Sequence, residues 1–239
     1  MGNHSQSLYR CGRGLVLIKY TLIRSKRKTI AIYVRDGFVE VRAPLNAAKR
    51  DIDRFVISKE SWITDRLDRL REQAERSKAF TLNYGDLVRY RGKVYPVAAK
   101  NGSHVGFDDD AFYMPPNLSE EHIQAACIQV YRMLAKRDLT MKAREFAMLM
   151  NVTPSEIKIT GAKTRWGSCS SKKHINFSWR LILADDSLID YVVVHELSHL
   201  FEMNHSPRFW AIVKKYMPDY RERIARLHAF QKQLLNEAW

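Results

Sequence analysis

The sequence predicts an α+β fold, in which a β-rich N-terminal region precedes a largely helical C-terminal region. Short apolar runs rich in β-branched residues alternate with turn signals over the first part of the chain. Two long stretches, 46–79 and 118–150, instead carry apolar residues at helical spacing. With 239 residues, of which 46% are hydrophobic and 28% charged, the chain has the length and composition of a globular protein with a sizeable core.

Three strands are predicted near the start of the chain, after a polar segment at 1–14 that we expect to form a disordered tail. Apolar runs at 15–23, 29–34 and 38–42 predict an antiparallel meander. Gly37 stands between the last two runs, where a tight turn favours glycine. The chain is therefore expected to open with a small sheet.

A long helix is predicted over 46–79, and short β-like runs follow it as far as Met114. Pro115-Pro116 then marks a soft boundary, because proline interrupts regular structure. We therefore predict a β-rich region with a long helix over 15–115 and a second domain over 116–239.

The second domain is predicted to begin with the helix at 118–150. A strand at 157–160 follows, and then a β-hairpin formed by 163–170 and 174–183. Another helix is expected to run through the apolar residues before position 199. Residues suited to cap helices stand at the expected ends, at Ser119, Asn151 and Asp185 to Ser187.

The three cysteines, Cys11, Cys127 and Cys169, form no C-x-x-C pair. Such a sparse, odd set argues against a disulfide framework and against a thiolate zinc knuckle, and is typical of a reducing compartment. The sequence has no apolar run long enough to span a bilayer, and the N-terminus lacks the apolar core of a signal peptide. We therefore expect a cytoplasmic protein with no membrane-spanning segment and no membrane partner.

The net charge of +14 bears on possible partners. A basic surface attracts nucleic acid, anionic membrane or acidic protein. The charge is widely spread, with one local cluster at 24–28. A solvated basic surface explains this pattern as well as a nucleic-acid-binding one, so both interpretations stay open.

His195-Glu196-Leu197-Ser198-His199 forms the pattern H-E-x-x-H at the end of an apolar helical run. Residues four apart on a helix lie about 40° apart around its axis, so two imidazoles can reach one metal ion. Glu196 lies about 100° from His195 and can stand beside the metal without binding it. This spacing is typical of a zinc site with a glutamate that activates a water molecule.

A catalytic zinc site needs a third protein ligand, and His205 is the best candidate. On a continuous helix His205 would face away from His199, since six residues rotate by about 240°. The helix is therefore predicted to stop at Asn204, which tolerates the left-handed conformation. Ser206-Pro207 then suits the start of a new helix.

The overall spacing, H-E-x-x-H followed by histidine six residues later, is that of the metzincins. Metzincins carry glycine at the eighth position, where this chain has Glu202, so the chain is not a regular metzincin. Glu202 is an alternative third ligand, because other zincins use a downstream glutamate. We favour His205.

Four segments of the second domain resemble the YgjP-like (DUF45) family of predicted zinc metallopeptidases: TRWGSCSS at 164–171, INFSWRLI at 175–182, YVVVHELSHL at 191–200 and NHSPRFW at 204–210. Parts of 24–95 also look like that family, so the resemblance covers most of 15–230. Ser198 stands where the family often has cysteine, and Lys173-His174 where glycine is common.

The resemblance implies a minimal, gluzincin-like catalytic region over 116–239, with an active-site helix and an edge β-hairpin. It also implies one zinc ion per chain, with the ligands His195, His199 and His205 and the base Glu196. A zincin pairs extended substrate with an edge strand. Our candidate for that strand is Arg165, Trp166, Gly167 and Ser168, although a plain core hairpin explains these residues equally well.

The sequence therefore predicts a zinc metallopeptidase acting on a peptide or protein. One alternative is a metal-dependent hydrolase of a non-peptide amide. Another is a nucleic-acid-associated protein, or a protease brought to DNA, that uses the basic surface. A purely structural zinc site is disfavoured because it would need four protein ligands, and three are evident.

Overall fold

The structure, a computed structural model, describes residues 18–234 and Trp239. The predicted tail at 1–14 lies outside the described residues. The chain divides into two compact units between Ala79 and Phe80. The predicted boundary at Pro115-Pro116 falls inside the second unit. The mixed content of helices and small sheets confirms the α+β prediction.

The first unit contains a three-stranded sheet built from β1 (Thr21–Ser25), β2 (Ala31–Arg35) and β3 (Phe38–Pro44). β2 and β3 form the predicted hairpin, with Gly37 in the left-handed region at φ 79. The predicted antiparallel meander is nevertheless wrong, because β1 pairs in parallel with the far side of β3 and the strand order is β1-β3-β2.

One arginine links the end of β1 to the chain at the end of β3. Arg24 donates from one guanidinium nitrogen to the carbonyls of Pro44, Leu45 and Ala47, at 3.1, 2.9 and 2.8 Å. These bonds hold the last residue of β3 and the loop after it against the end of β1. The carboxyl ends of two paired strands lie side by side when the strands are parallel.

Two helices cover the same sheet, α1 (Lys49–Ser58) and α2 (Glu60–Ala79). The prediction of one helix over 46–79 is wrong at Lys59, whose φ and ψ of -112 and 13 leave the helical region. Ser58 donates its hydroxyl to the Phe55 carbonyl at 2.8 Å, a local bond that competes with helix continuation. The core of this unit is formed by Val34, Val39, Val41, Ala43, Ile52, Val56 and Ile63.

The second unit begins with a four-stranded sheet and a long helix. Its strands are β4 (Leu87–Tyr90), β5 (Lys93–Ala99), β6 (Gly106–Phe107) and β7 (Phe112–Met114), in the order β4-β5-β7-β6. The helix is α3 (Glu120–Met150).

The helix α3 begins and ends as predicted. The Ser119 side chain accepts the His122 amide at its start, and Asn151 takes the left-handed conformation at its end, with φ 53. On its buried face, Asp138 is 2% exposed and accepts a hydrogen bond from the Tyr90 hydroxyl of β4. The sheet therefore shares one core with α3, which is why the chain does not divide near Pro115.

A second small sheet lies beside α3, built from β8 (Glu156–Thr160), β9 (Gly167–Cys169) and β10 (His174–Ser178). Its order is β8-β10-β9, so β9 is an edge strand, antiparallel to β10. The predicted hairpin is present, but the run predicted as strand to Leu183 ends at Ser178 and continues as a 3₁₀ helix, Trp179–Leu183. The Ser178 side chain caps that helix by accepting the Arg180 amide.

Three helices complete the second unit: α4 (Asp186–Ser198), α5 (Pro207–Tyr216) and α6 (Tyr220–Leu234). The Asp185 side chain caps α4 by accepting the Leu188 amide, as predicted. Val193, Val194 and Leu197 are fully buried, which holds the end of α4 in the core. Among the helices of the described residues, none is long and apolar enough to cross a membrane.

The start of α4 is held by segments distant in sequence. Arg91, in the turn between β4 and β5, donates its amide to the Ile182 carbonyl at 2.8 Å and its guanidinium to both carboxylate oxygens of Asp186. From α6, Arg226 binds Asp185 and Arg223 binds the Ser187 carbonyl. Several charge-assisted bonds thus fix where α4 begins and how it is aimed.

Gly92→Ala is expected to destabilise the protein by roughly 2–4 kcal/mol. Gly92 has φ +77, and an added Cβ would lie 2.8 Å from Cβ and 3.1 Å from Cα of Asp185, at the cap of α4. Chemical denaturation measures the loss. Gly85→Ala is the matched control, since Gly85 has φ +92 but nothing within 4 Å. Equal losses in both variants would show that backbone strain, rather than contact with α4, sets the cost.

Candidate metal centre

The end of α4 and the segment after it bring three histidines together. His195 lies in the last turn of α4, His199 caps the helix, and His205 lies just before α5. The helix stops at Ser198, and Asn204 is not left-handed, so the predicted stop at Asn204 is wrong. The chain reverses earlier because the ring of His199 bonds to the Glu202 carbonyl, at 3.1 Å from Nδ1.

The three imidazoles converge on one point. Nε2 of His195 and Nε2 of His205 lie 3.1 Å apart. One ring nitrogen from each of His195, His199 and His205 lies within 4.8 Å of the others. Among the described residues, this is the group of histidine, cysteine and acidic side chains with the geometry to hold a metal ion, and Glu202 is not part of it. Three imidazole donors at this spacing suit a borderline-soft divalent ion such as zinc.

The nitrogens that face away from the cluster have partners of their own. Nδ1 of His199 faces the Glu202 carbonyl, so Glu202 contributes its backbone rather than the carboxylate considered from the sequence. Nδ1 of His195 lies 3.4 Å from the hydroxyl of Tyr191, one helical turn earlier. Such bonds to the outer nitrogen fix ring orientation and leave Nε2 free for a metal.

An aromatic side chain packs under all three rings. Phe209 is fully buried, and its ring centroid lies 5.0, 4.6 and 4.8 Å from those of His195, His199 and His205. Trp210 contacts the rings of His195 and His205. Ser206 starts α5 as predicted by accepting the Phe209 amide, which holds Phe209 in this position. The sequence predicted where this helix begins but not its contact with the histidines.

Comparison with known proteins adds a family to this geometry. The profile of the YgjP-like family, described as a metallopeptidase domain, matches residues 28–230. The chain belongs to the YgjP-like metallopeptidase family. This membership confirms the resemblance seen in the sequence, supports a metallopeptidase function and implies a metal ion. No curated protein matches the chain.

Two solved structures share partial similarity with this YgjP-like chain. The metallopeptidase zymogen abylysin of Pyrococcus abyssi is 20% identical with a TM-score of 0.36, over 38% of this chain and 92% of its own. The metallopeptidase zymogen jannalysin of Methanocaldococcus jannaschii is 25% identical with a TM-score of 0.35, over 41% of this chain and 98% of its own.

Burial keeps two imidazoles of this YgjP-like centre, those of His195 and His199, in the neutral form. Burial, together with the charges of His199 and His205, lowers the pKa of His195 to about 3. Burial also lowers the pKa of His199. At neutral pH His195 and His199 therefore carry no proton on the nitrogen that a metal requires.

Glu196 follows His195 directly in α4, is buried, and has a strongly shifted pKa. Its side chain is 6% exposed, and burial raises its pKa to about 8, while the charge of Arg165 acts in the opposite direction. A carboxyl group with such a pKa holds a proton near neutrality, and a nearby cation would favour its ionised form. Glu196 is thus placed to exchange protons in the physiological pH range.

The edge strand β9 lies directly against Glu196. A Cβ added at Gly167 would meet Cγ and Oε1 of Glu196 at 2.6 Å, so this close approach requires glycine. Ser168 accepts a hydrogen bond from Asn176 at 3.3 Å, within the sheet. Trp166 stacks on Phe230 of α6 with ring centroids 5.8 Å apart. The half-buried Trp166 therefore packs against the core, whereas Arg165 is exposed and the backbone of Gly167 lies beside Glu196.

Proposed function

We propose that this chain is a zinc-dependent metallopeptidase in which His195, His199 and His205 hold one zinc ion and Glu196 is the general base. The observation that carries the proposal is the convergence of three imidazole nitrogens within 4.8 Å. Three ligands leave a coordination position open for water, which is characteristic of a catalytic rather than a structural site.

A bound zinc ion would polarise the scissile carbonyl and make its bound water more acidic. The other steps belong to side chains of this protein. Glu196 takes the proton of the attacking water at its carboxylate and then delivers it to the leaving amine. The buried position of Glu196 excludes bulk water from this transfer. Because Gly167 has no side chain, the carboxylate can lie close to the edge strand.

The substrate is proposed to be a peptide or protein bound in extended form along β9. The edge position of β9 leaves one side of its backbone without a strand partner in the described sheet. Strand addition there uses the main-chain groups of Gly167, because those of Trp166 and Ser170 bond to the β10 side of the sheet and Ser168 lies between them in the same register. Trp166 supports the strand from behind, and Arg165 lies at its start. The non-peptide amide alternative has less support, because a short amide gains nothing from an edge strand.

Metal content tests the proposal directly. Purified wild-type protein is expected to hold about one zinc per chain, and His205→Ala is expected to lose it. His174→Ala is the matched control, because this half-exposed histidine lies outside the cluster, near Glu156. A peptide library incubated with the zinc-loaded protein then tests cleavage by mass spectrometry. Retention of zinc by His205→Ala, or absence of zinc after supply, would contradict the ligand assignment.

Tyr191→Phe is expected to weaken zinc binding by about tenfold, because it removes the partner of the outer nitrogen of His195. Competition with a chromophoric chelator measures the affinity. Tyr220→Phe serves as control. Tyr220 is buried like Tyr191, but its hydroxyl accepts a hydrogen bond from Arg221 and does not face one of the three histidines. If both variants bind zinc like the wild type, Tyr191 does not orient His195.

A further inference from the structure

We propose that the first unit binds single-stranded nucleic acid on the open face of its sheet. One face of this sheet is buried against α1 and α2 through Val39, Val41 and Ala43. The alternate residues of the same strands lie on the opposite face. We call this the open sheet face, and its members are Ile23, Tyr33, Arg35, Phe38, Glu40 and Arg42.

The open sheet face combines aromatic rings with arginines. Phe38 is 76% exposed at the hairpin end of the sheet, on the same face as Tyr33 and the two arginines. The guanidinium groups of Arg35 and Arg42 lie over the ring of Tyr33, 5.3 and 4.9 Å from its centroid. Stacked guanidinium planes and exposed rings are the surfaces on which proteins hold unpaired bases.

Charge is concentrated in the same unit. Residues 1–79 contain 18 lysines and arginines against 9 acidic residues, whereas residues 80–239 contain 22 against 17. On the open sheet face itself, the carboxylate of Glu40 is already neutralised by Arg42 at 2.6 Å. The surface that remains is therefore positive and suited to a phosphate backbone.

A basic loop extends the face at the end opposite Phe38. Lys26 and Lys28 are exposed in the connection from β1 to β2. Arg24, next to them in sequence, holds the start of this loop in place through its hydrogen bonds to the carbonyls of Pro44, Leu45 and Ala47. The seven residues of β3 span roughly 20 Å between the hairpin and the loop, so phosphates and bases of several nucleotides have contacts along the strand.

The chemistry favours a single strand over the other anionic partners. A duplex keeps its bases stacked on one another and offers only phosphates to Phe38. An acidic peptide would match the charge but has no stacked planes for Tyr33 and the two arginines. Unpaired bases use both features, since base stacking on an aromatic ring contributes about 1–3 kcal/mol per base.

Fluorescence anisotropy with a labelled 20-nucleotide oligothymidylate tests the inference on the full-length protein. Wild type is expected to bind with strong salt dependence and to prefer the single strand over a duplex of the same length. Phe38→Ala leaves the charge unchanged and is expected to weaken binding about fivefold or more. Arg35→Ser/Lys28→Ser is expected to weaken binding and to reduce the salt slope by about 1.4.

Lys172→Ser/Lys214→Ser is the charge-matched control, because both lysines are exposed in the second unit. It is expected to retain binding. Equal losses in the two double variants would overturn the proposal in favour of general attraction. Equal affinity for the duplex, or no binding of the single strand at low salt, would also contradict the proposal. The assay involves no cleavage, so its result is independent of the proposed peptidase activity.

Discussion

Glu196→Gln is expected to reduce peptide cleavage by about 10²–10⁴-fold while leaving the metal in place. The amide cannot accept the proton of the attacking water, and general base catalysis accounts for about 10²–10⁴ in rate. Metal binding should persist, because Glu196 lies outside the group of three histidines. Cleavage of library peptides by mass spectrometry and metal analysis of the same sample check both expectations.

The same substitution is expected to stabilise chelator-treated protein at high pH. The pKa of Glu196 is raised from 4.5 to about 8 by burial. A group whose folded pKa is raised stabilises the fold below its unfolded pKa and loses that contribution as pH rises through about 8. Glutamine carries no charge, so the folded variant avoids the cost of a buried, ionised carboxylate, which is on the order of a few kcal/mol.

Thermal unfolding at pH 5, 7 and 9 measures this effect. The difference in Tm between variant and wild type should be small at pH 5 and grow toward pH 9, and added zinc should reduce it. Glu202→Gln is the matched control, since Glu202 acts through its carbonyl. A difference that does not change with pH would contradict a buried, titrating Glu196, and normal cleavage by Glu196→Gln would exclude it as base.

Gly167→Ala is expected to reduce cleavage by about a hundredfold, with the metal retained. The new Cβ would lie 2.6 Å from both Cγ and Oε1 of Glu196, so the carboxylate or the edge strand must shift. A displacement of about 1 Å from a productive geometry costs on the order of 10² in rate. The overpacked site should also cost about 1–3 kcal/mol of stability.

Gly161→Ala is the control for Gly167→Ala, because its Cβ would meet only the end of the Arg132 side chain, at 3.3 Å. Cleavage rates, zinc content and unfolding free energies are compared for both variants. If Gly167→Ala cleaves as fast as Gly161→Ala, the contact between β9 and Glu196 does not position the base. Loss of zinc from Gly167→Ala would instead show that the substitution also disturbs the three histidines.

Local sequence signals predicted local structure well. The caps at Ser119, Asn151, Asp185 and Ser206 were predicted because each needs only a side chain and the next few amides. The same holds for bringing His195 and His199 onto one helical face. His205 joins them because the chain turns soon after, although by a different route from the one predicted.

Features that depend on distant contacts were not predictable from local patterns. The parallel pairing of β1 joins it to residues about twenty positions later in the chain, where Arg24 also finds its carbonyl partners. The end of α4 depends on the bond between His199 and the Glu202 carbonyl. The packing of Phe209 under all three histidines depends on how α5 docks. For Tyr191 a signal existed, since residues four apart on a helix face each other.

The metal group and the edge strand come from separate parts of the chain. His195, His199 and His205 lie within one short stretch, whereas β9 is reached only through the sheet with β10. Under the proposed function, substitutions along β9 that spare Gly167 are therefore expected to change which polypeptides bind without altering how the metal is held. The same proposal implies that relatives with the same histidines can differ in the polypeptides they cleave, so sequence similarity around H-E-x-x-H alone is expected to be a poor guide to substrate choice.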